Sequence, residues 1–148
     1  MTDAHMLDVT LSRIVMREGT DRQYIYLQRG TEEGPRGFPI VIGAHEAQEI
    51  HRVVHVIEPP RPLTHQLTHD ILDELGVKLM SVDIVGLRQN TFFAQLALLK
   101  PGADQEVLQV DARPSDAIAL AIRARCPIRV EAGVFERASK QDEDDPVD

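Results

Sequence analysis

Cysteine is almost absent from this chain of 148 residues, and its scarcity limits the sites that the chain can build. Cys126 is the single cysteine, so an internal disulfide and a zinc site made only of cysteines are both excluded. No apolar run comes near the ~18 residues that a membrane-spanning helix needs, and the first six residues lack the basic region and apolar core of a signal peptide. We therefore expect no membrane association and a cytoplasmic location.

A surplus of positive charge is also missing. The net charge is −8, but residues 142–148 hold five of the 24 acidic residues and no basic one, and without them 19 acidic residues face 16 basic ones, a net charge of −3. Proteins that bind nucleic acid usually carry a basic surplus. Binding of DNA or RNA would therefore need a local positive patch, for which 13 arginines are available.

Several common catalytic signatures are absent as well. The chain has no glycine-rich phosphate loop and no Gly-x-Ser-x-Gly elbow, and residues 45–49 begin like a zinc-protease motif but end in Glu49 instead of histidine. Ser115 therefore lacks the sequence context of a nucleophile. We predict that its hydroxyl bonds to the backbone at the start of a helix.

The hydrophobic pattern predicts an α+β fold, in which three main helices pack on a largely antiparallel or mixed sheet of about six to seven strands. The predicted strands are 6–16, 23–28, 38–42, 77–85, 91–99, 106–110 and 128–130. The predicted helices are 44–57, 64–75 and 114–125. A change of apolar phase near Arg13 indicates a bulge in the first strand. On the second helix, the side chains predicted to face the core are Leu67, Ile71, Leu72 and Leu75.

Residues 1–137 are predicted to form a single domain. Residues 138–148 are predicted to be an acidic, disordered tail, because charges of one sign accumulate there.

The densest polar cluster lies where the sixth strand meets the third helix. Pro114 suits the first position of a helix, and Asp116 then falls in the first turn, where the helix dipole favours a negative charge. Asp111 and Asp116, joined by Glu46, could share a Mg²⁺ or Mn²⁺ ion, because these ions prefer oxygen ligands. The same acids could equally form salt bridges with Arg113 and cap the helix.

Two pairs of histidines have helical i, i+4 spacing, His51 with His55 and His65 with His69. This spacing places two imidazoles on one helix face, as a metal site requires, but a pair alone falls short of three or four ligands. The alternative is that the first pair lies on a solvated face and the second helps to cap the N-terminus of a helix.

Three segments, 39–47, 61–65 and 111–121, resemble the bifunctional nuclease domain family in their order and spacing. The resemblance covers residues 6–135 and implies a compact α+β domain, self-association, and cleavage of both DNA and RNA. The polar positions that match the family pattern are Glu46, Arg61, Thr64, His65, Asp111, Arg113, Ser115 and Asp116. The chain has Gln66 where an acid often follows the histidine in this family.

Two hypotheses follow from the cluster and the resemblance. In the first, the chain is a divalent-metal-dependent nuclease that cuts DNA or RNA. Glu46, Asp111 and Asp116 would then hold Mg²⁺ or Mn²⁺, and Asp116 would also take part in catalysis. His65 would act as base or ligand, and Arg61 and Arg113 would stabilise the charge that develops on the phosphate.

In the second hypothesis, the domain is a non-catalytic homo-oligomer that binds a partner, and the same residues form a structural ion-pair network. An open pocket shared by these side chains would favour the enzyme. A buried Arg113 fully paired with the acids would favour the structural network.

Overall fold

The structure of the chain, a computed structural model, describes residues 5–144, which form seven strands and four helices. The strands, β1 to β7 in chain order, are Met6–Val15, Gln23–Arg29, Arg36–Ile42, Lys78–Arg88, Thr91–Leu99, Val107–Ala112 and Ile128–Glu131. The helices, α1 to α4, are Ala44–Val54, Thr64–Glu74, Pro114–Ala124 and Ala132–Asp144. The α+β fold is therefore as predicted, except that the described residues contain four helices and not three.

One mixed sheet organises the molecule, with the strand order β3-β2-β1-β7-β4-β5-β6. Its neighbouring strands are antiparallel except for β4 and β7, which are parallel. The register of β1 against β2 shifts between Leu11 and Arg13, which confirms the bulge predicted near Arg13. An extra residue bends a strand, and β1 pairs with β7 over residues 6–9 and with β2 over residues 10–15, on both sides of the bulge.

The sheet curls so that strands far apart in its order face each other. The ring of Phe38 in β3 stacks on the ring of Phe92 in β5 at 5.3 Å, and Phe135 of α4 meets Phe38 edge-on at 5.7 Å. The core lies inside this curl. Helix α3 packs on β4 and β5, and α1 and α2 both lie against α3. The first turns of these three helices are thereby brought to one side of the molecule.

Helix α4 corrects the predicted disordered tail over residues 138–144. Val134, Phe135 and Ala138 of this helix are buried. Its acidic end is held by the sheet, because the Tyr26 hydroxyl donates a hydrogen bond to Asp142 at 2.7 Å. The acidic composition of this segment concealed an amphipathic helix with a buried face. Residues 145–148, the remainder of the predicted tail, lie outside the described residues.

Helix α2 corrects a second prediction, since none of its residues is buried. Only Leu72 packs against the core, whereas Leu67, Ile71 and Leu75 are 53%, 49% and 64% exposed. The helix touches α3 and β4 along one side, so the rest of its apolar stripe faces away from the domain.

No helix in residues 5–144 is long and apolar enough to cross a membrane.

Candidate active site

Three side chains of the predicted site come from the first turns of three different helices. Glu46 lies at the start of α1, His65 at the start of α2 and Asp116 at the start of α3. They line one open cavity of about 620 Å³, together with Asp111 and Arg113. Since the positive ends of helix dipoles attract anions, three converging helix starts favour a negatively charged ligand.

The local sequence explains how α3 presents its residues. Pro114 occupies the first helical turn, as predicted, and Arg113 is the residue immediately before the helix in an extended conformation. Asp111 and Ala112 end the edge strand β6, so the chain passes directly from the strand into the cavity wall.

The Asp116 carboxylate is hydrogen-bonded to two side chains of this cavity, those of His65 and Arg113. Its Oδ1 lies 2.9 Å from Nε2 of His65. The Arg113 guanidinium donates two hydrogen bonds to the same carboxylate, from Nε to Oδ2 at 2.9 Å and from Nη2 to Oδ1 at 3.1 Å. The remaining Nη1 of Arg113 donates to Oε1 of Glu46 at 3.3 Å. The Arg113 side chain nevertheless stays 64% exposed.

The charges in the cluster stabilise one another. Burial works to raise the pKa of Asp116, but the hydrogen bonds from Arg113 and His65 outweigh it and hold this pKa below its usual value. The hydrogen bond to Asp116 in turn raises the pKa of Arg113. Asp116 is therefore a carboxylate and Arg113 a cation throughout the physiological pH range.

A second ion-pair cluster, which sequence reasoning missed, lies behind His65. Glu49 is only 3% exposed and accepts hydrogen bonds from Arg52 at 2.7 Å and from Arg123 at 3.0 Å. Its Oε1 is 3.9 Å from Nδ1 of His65, so His65 lies between two carboxylates. Burial works to raise the pKa of Glu49, but the two arginines lower it below its usual value. The helical spacing of Glu46 and Glu49 was the available signal, since positions three apart share a helix face.

Asp111 and Arg61 are placed differently from the other predicted residues. Asp111 lines the cavity and is exposed, and it forms no salt bridge within residues 5–144. Arg61 lies in the exposed loop before α2 and does not line the cavity. The structure therefore gathers Glu46, His65, Asp111, Arg113 and Asp116, and the role of Arg61 stays a prediction.

The arrangement does not fit a preformed site for the predicted Mg²⁺ or Mn²⁺ ion. In the described part of the chain, no three His, Cys, Asp or Glu side chains are grouped closely enough to hold a metal. The guanidinium of Arg113 lies between Glu46 and Asp116, and it occupies both oxygens of Asp116. The two predicted histidine pairs do not supply a site either, because the tilted rings of His51 and His55 contact each other at 4.2 Å, and His65 and His69 pair with Asp116 and Asp73.

Comparison with known proteins agrees with the resemblance that the sequence motifs indicate. The family model described as the bifunctional nuclease domain matches residues 27–143. An uncharacterized protein of Mycobacterium tuberculosis strain H37Rv is 44% identical over 105 residues, which cover 71% of this chain and 60% of that protein. Bifunctional nuclease 1 of Arabidopsis thaliana is 35% identical over 74 residues, 50% of this chain and 23% of that protein.

A rice relative extends the comparison over more of the chain. Bifunctional nuclease 2 of Oryza sativa subsp. japonica is 28% identical over 134 residues, 79% of this chain and 41% of that protein. The chain thus spans less than two thirds of the length of these curated relatives.

Proposed function

Because the chain belongs to the bifunctional nuclease domain family, we propose that it hydrolyses phosphodiester bonds in DNA or RNA at the cavity between α1, α2 and α3. The observation that carries the proposal is the contact of 2.9 Å between His65 Nε2 and Asp116 Oδ1 beside an exposed arginine in an open cavity. A histidine paired with a carboxylate is a common acid–base unit.

Each residue of the cluster has a chemical role in this proposal. Each ring nitrogen of His65 faces a carboxylate, Nε2 that of Asp116 and Nδ1 that of Glu49. The proton of an attacking water is therefore taken up by Oδ2 of Asp116 once Arg113 has turned away, and it passes from there to the leaving oxygen, while His65 holds the carboxylate in place. Arg113 can turn its guanidinium from the carboxylates to a phosphate, because it is largely exposed, and can stabilise the charge that develops there.

The electrostatic balance of the cavity makes Arg113 central. Four carboxylates line the cavity, and three of them, Glu46, Glu49 and Asp116, are bound to arginine. These pairs cancel much of the repulsion that a phosphate would meet. The proposal contains no step through a metal ion, and dependence on Mg²⁺ or Mn²⁺ stays a prediction that the assay below tests.

The proposal is tested by cleavage of end-labelled single-stranded DNA and RNA in Mg²⁺, in Mn²⁺ and in EDTA. Loss of an acid–base group lowers rates by roughly 100- to 10,000-fold, so we expect Asp116→Asn to reduce cleavage by that factor. Asp73→Asn is the matched control, because Asp73 also pairs with a histidine but lies on the exposed side of α2. Cleavage in EDTA is expected to persist if Arg113 supplies the required positive charge.

Two results would refute the proposal. No cleavage under any of the three conditions would remove it directly. Equal cleavage by the wild type and Asp116→Asn would assign the activity to a contaminant or to another part of the surface.

A second candidate function, assembly with further copies of the chain as a non-catalytic binding domain, is favoured by the apolar stripe of α2. Leu63, Leu67, Ile71 and Leu75 recur every four residues, and each is more than two fifths exposed. Exposed apolar patches of this kind mark interaction surfaces. We expect light scattering to give a mass above 16.6 kDa for the wild type and a mass near 16.6 kDa for Ile71→Asp. A monomeric wild type would contradict this assembly.

A further inference from the structure

A second cavity, of about 390 Å³, adjoins the active-site cavity. Arg113 lines both cavities. The second cavity is enclosed by the end of β3, the start of β5 and the first turn of α3. A ligand that contacts Arg113 in one cavity can therefore extend into the other.

Ser115 is the first indication of what this second cavity binds. The residue lines the cavity and is only 6% exposed. We predict from the sequence that its hydroxyl bonds to the backbone. Within residues 5–144, however, the side chain of Ser115 forms no hydrogen bond. Because the Ser115 hydroxyl is not among the side-chain atoms of the described residues that are both cut off from solvent and without a partner, it still reaches the solvent-filled cavity and is free to bind a ligand or water there.

The start of α3 is the second indication. Pro114 has no N–H group, and no side chain caps this helix of 11 residues. The amides of Ser115 and Asp116 have no acceptor within the helix, because the first N–H groups of any helix lack one. Two backbone donors and one hydroxyl therefore lie together at the positive end of the α3 dipole, which is an arrangement that binds phosphate.

The charges around the cavity agree with an anionic ligand. Arg22 is exposed and lines the cavity together with Arg113. Asp21 also lines it, but its Oδ1 accepts a hydrogen bond from the Ala44 amide at 3.1 Å and so caps α1. Arg113 is itself bound to Asp116 and Glu46, so the charge that is not already paired within residues 5–144 is that of Arg22, and Arg113 adds to it when its guanidinium turns to a phosphate.

We infer that this second cavity binds a phosphate group of the nucleic acid, adjacent to the phosphate that is cleaved beside His65 and Asp116. The hydroxyl and the backbone amide of Ser115 donate hydrogen bonds to this phosphate, and Arg22 and Arg113 supply the positive charge. The inference rests on the proposed function for the identity of the ligand. It adds a subsite that fixes the position of the substrate backbone relative to the reacting bond.

The first test uses inorganic phosphate as the probe and needs no enzymatic activity. Phosphate added to the full chain is expected to shift the amide NMR signals of Ser115 and Asp116, and Ser115→Ala is expected to weaken this binding about tenfold, the effect of one hydrogen bond to a charged group. Because the hydroxyl has no hydrogen-bond partner among residues 5–144, Ser115→Ala should keep or raise the melting temperature. A lower melting temperature with unchanged phosphate binding would assign Ser115 a structural role and overturn the inference.

The second test uses a single-stranded oligonucleotide and a matched pair of charge variants in the Asp116→Asn background. Arg22→Gln removes the cavity charge, and Arg125→Gln removes an exposed charge at the opposite end of α3. Loss of one phosphate contact lowers the slope of log affinity against log salt by about 0.7 for a single strand. We expect that decrease for Arg22→Gln only, and equal slopes for the two variants would overturn the subsite.

The outcomes separate this inference from the proposed function. Cleavage with no effect of Ser115→Ala or Arg22→Gln on binding would reject the subsite and keep the nuclease. Binding that depends on both residues, in a protein that cleaves nothing, would keep the phosphate site and reject the nuclease.

Discussion

Replacement of Glu49 by glutamine tests the physical basis of the whole site. The side chain of Glu49 is 4% exposed and is bound by two arginines that are themselves 28% and 21% exposed. Glutamine preserves the shape but removes the charge, so Arg52 and Arg123 would remain partly buried without a counter-ion. Buried ion pairs gain little over apolar residues, but the removal of one partner is strongly destabilising.

The size of the effect can be bounded. Loss of one partner of a buried pair costs about 3–5 kcal/mol, and the partial exposure of both arginines places Glu49→Gln at the lower end, about 3 kcal/mol. For a chain of this length, 1 kcal/mol shifts the melting temperature by roughly 2–4 °C. We therefore expect a decrease of about 6–12 °C at neutral pH.

The pH dependence of the same variant gives an independent check. The folded-state pKa of Glu49 is lowered, so its stabilisation is fully present above the unfolded-state pKa of about 4.3 and is lost as the pH falls through the folded-state value. The difference in unfolding free energy between wild type and Glu49→Gln should therefore shrink below about pH 4.

Urea denaturation monitored by circular dichroism would measure these differences, with Glu46→Gln as the control. Glu46 makes one hydrogen bond of 3.3 Å to an exposed arginine, and such surface pairs contribute about 1 kcal/mol or less. Two results would refute the assignment of Glu49 as the buried counter-ion of Arg52 and Arg123. One is an equal decrease in the free energy of unfolding for both variants, and the other is a decrease for Glu49→Gln that is unchanged at pH 3.

Two further predictions concern the sheet. In Gly37→Ala the new Cβ would overlap the backbone of Leu27 in the neighbouring strand. We therefore expect urea denaturation to show a free energy of unfolding lower by at least ~2 kcal/mol. Gly30 has open space around it, so Gly30→Ala should lower the free energy of unfolding far less. Burial and the hydrogen bond to Asp142 raise the pKa of Tyr26 to about 12. Ultraviolet absorbance should therefore show one tyrosine that ionises near pH 12, and this step should be missing in Tyr26→Phe.

Local patterns were sufficient to predict the features of the fold that depend on neighbouring residues. The bulge near Arg13 follows from a change in strand period, and the start of α3 follows from Pro114 and Asp116. Each signal is contained within a few residues of the chain.

Long-range packing was the part that the sequence could not supply. An apolar stripe such as Leu67, Ile71 and Leu75 has the same spacing whether it faces a core or solvent, and only the position of α2 beside α3 shows that it is exposed. The opposite error occurred in α4, where acidic residues concealed the buried face that contains Phe135. Glu49 was missed for the same reason, since its second partner, Arg123, lies on α3, 74 residues further along the chain.

The polar cluster shows why residue types predict a site more reliably than they predict its chemistry. Acids gathered beside a strand end indicate that a cation is needed, and the sequence leaves open whether this cation is a metal ion or Arg113. In the folded chain the cation that bridges Glu46 and Asp116 is Arg113, which is permanently charged and 64% exposed. A guanidinium can exchange a carboxylate for a phosphate without leaving the protein, whereas a metal would first have to displace it. The response of cleavage to EDTA therefore decides between two assignments of the same carboxylates.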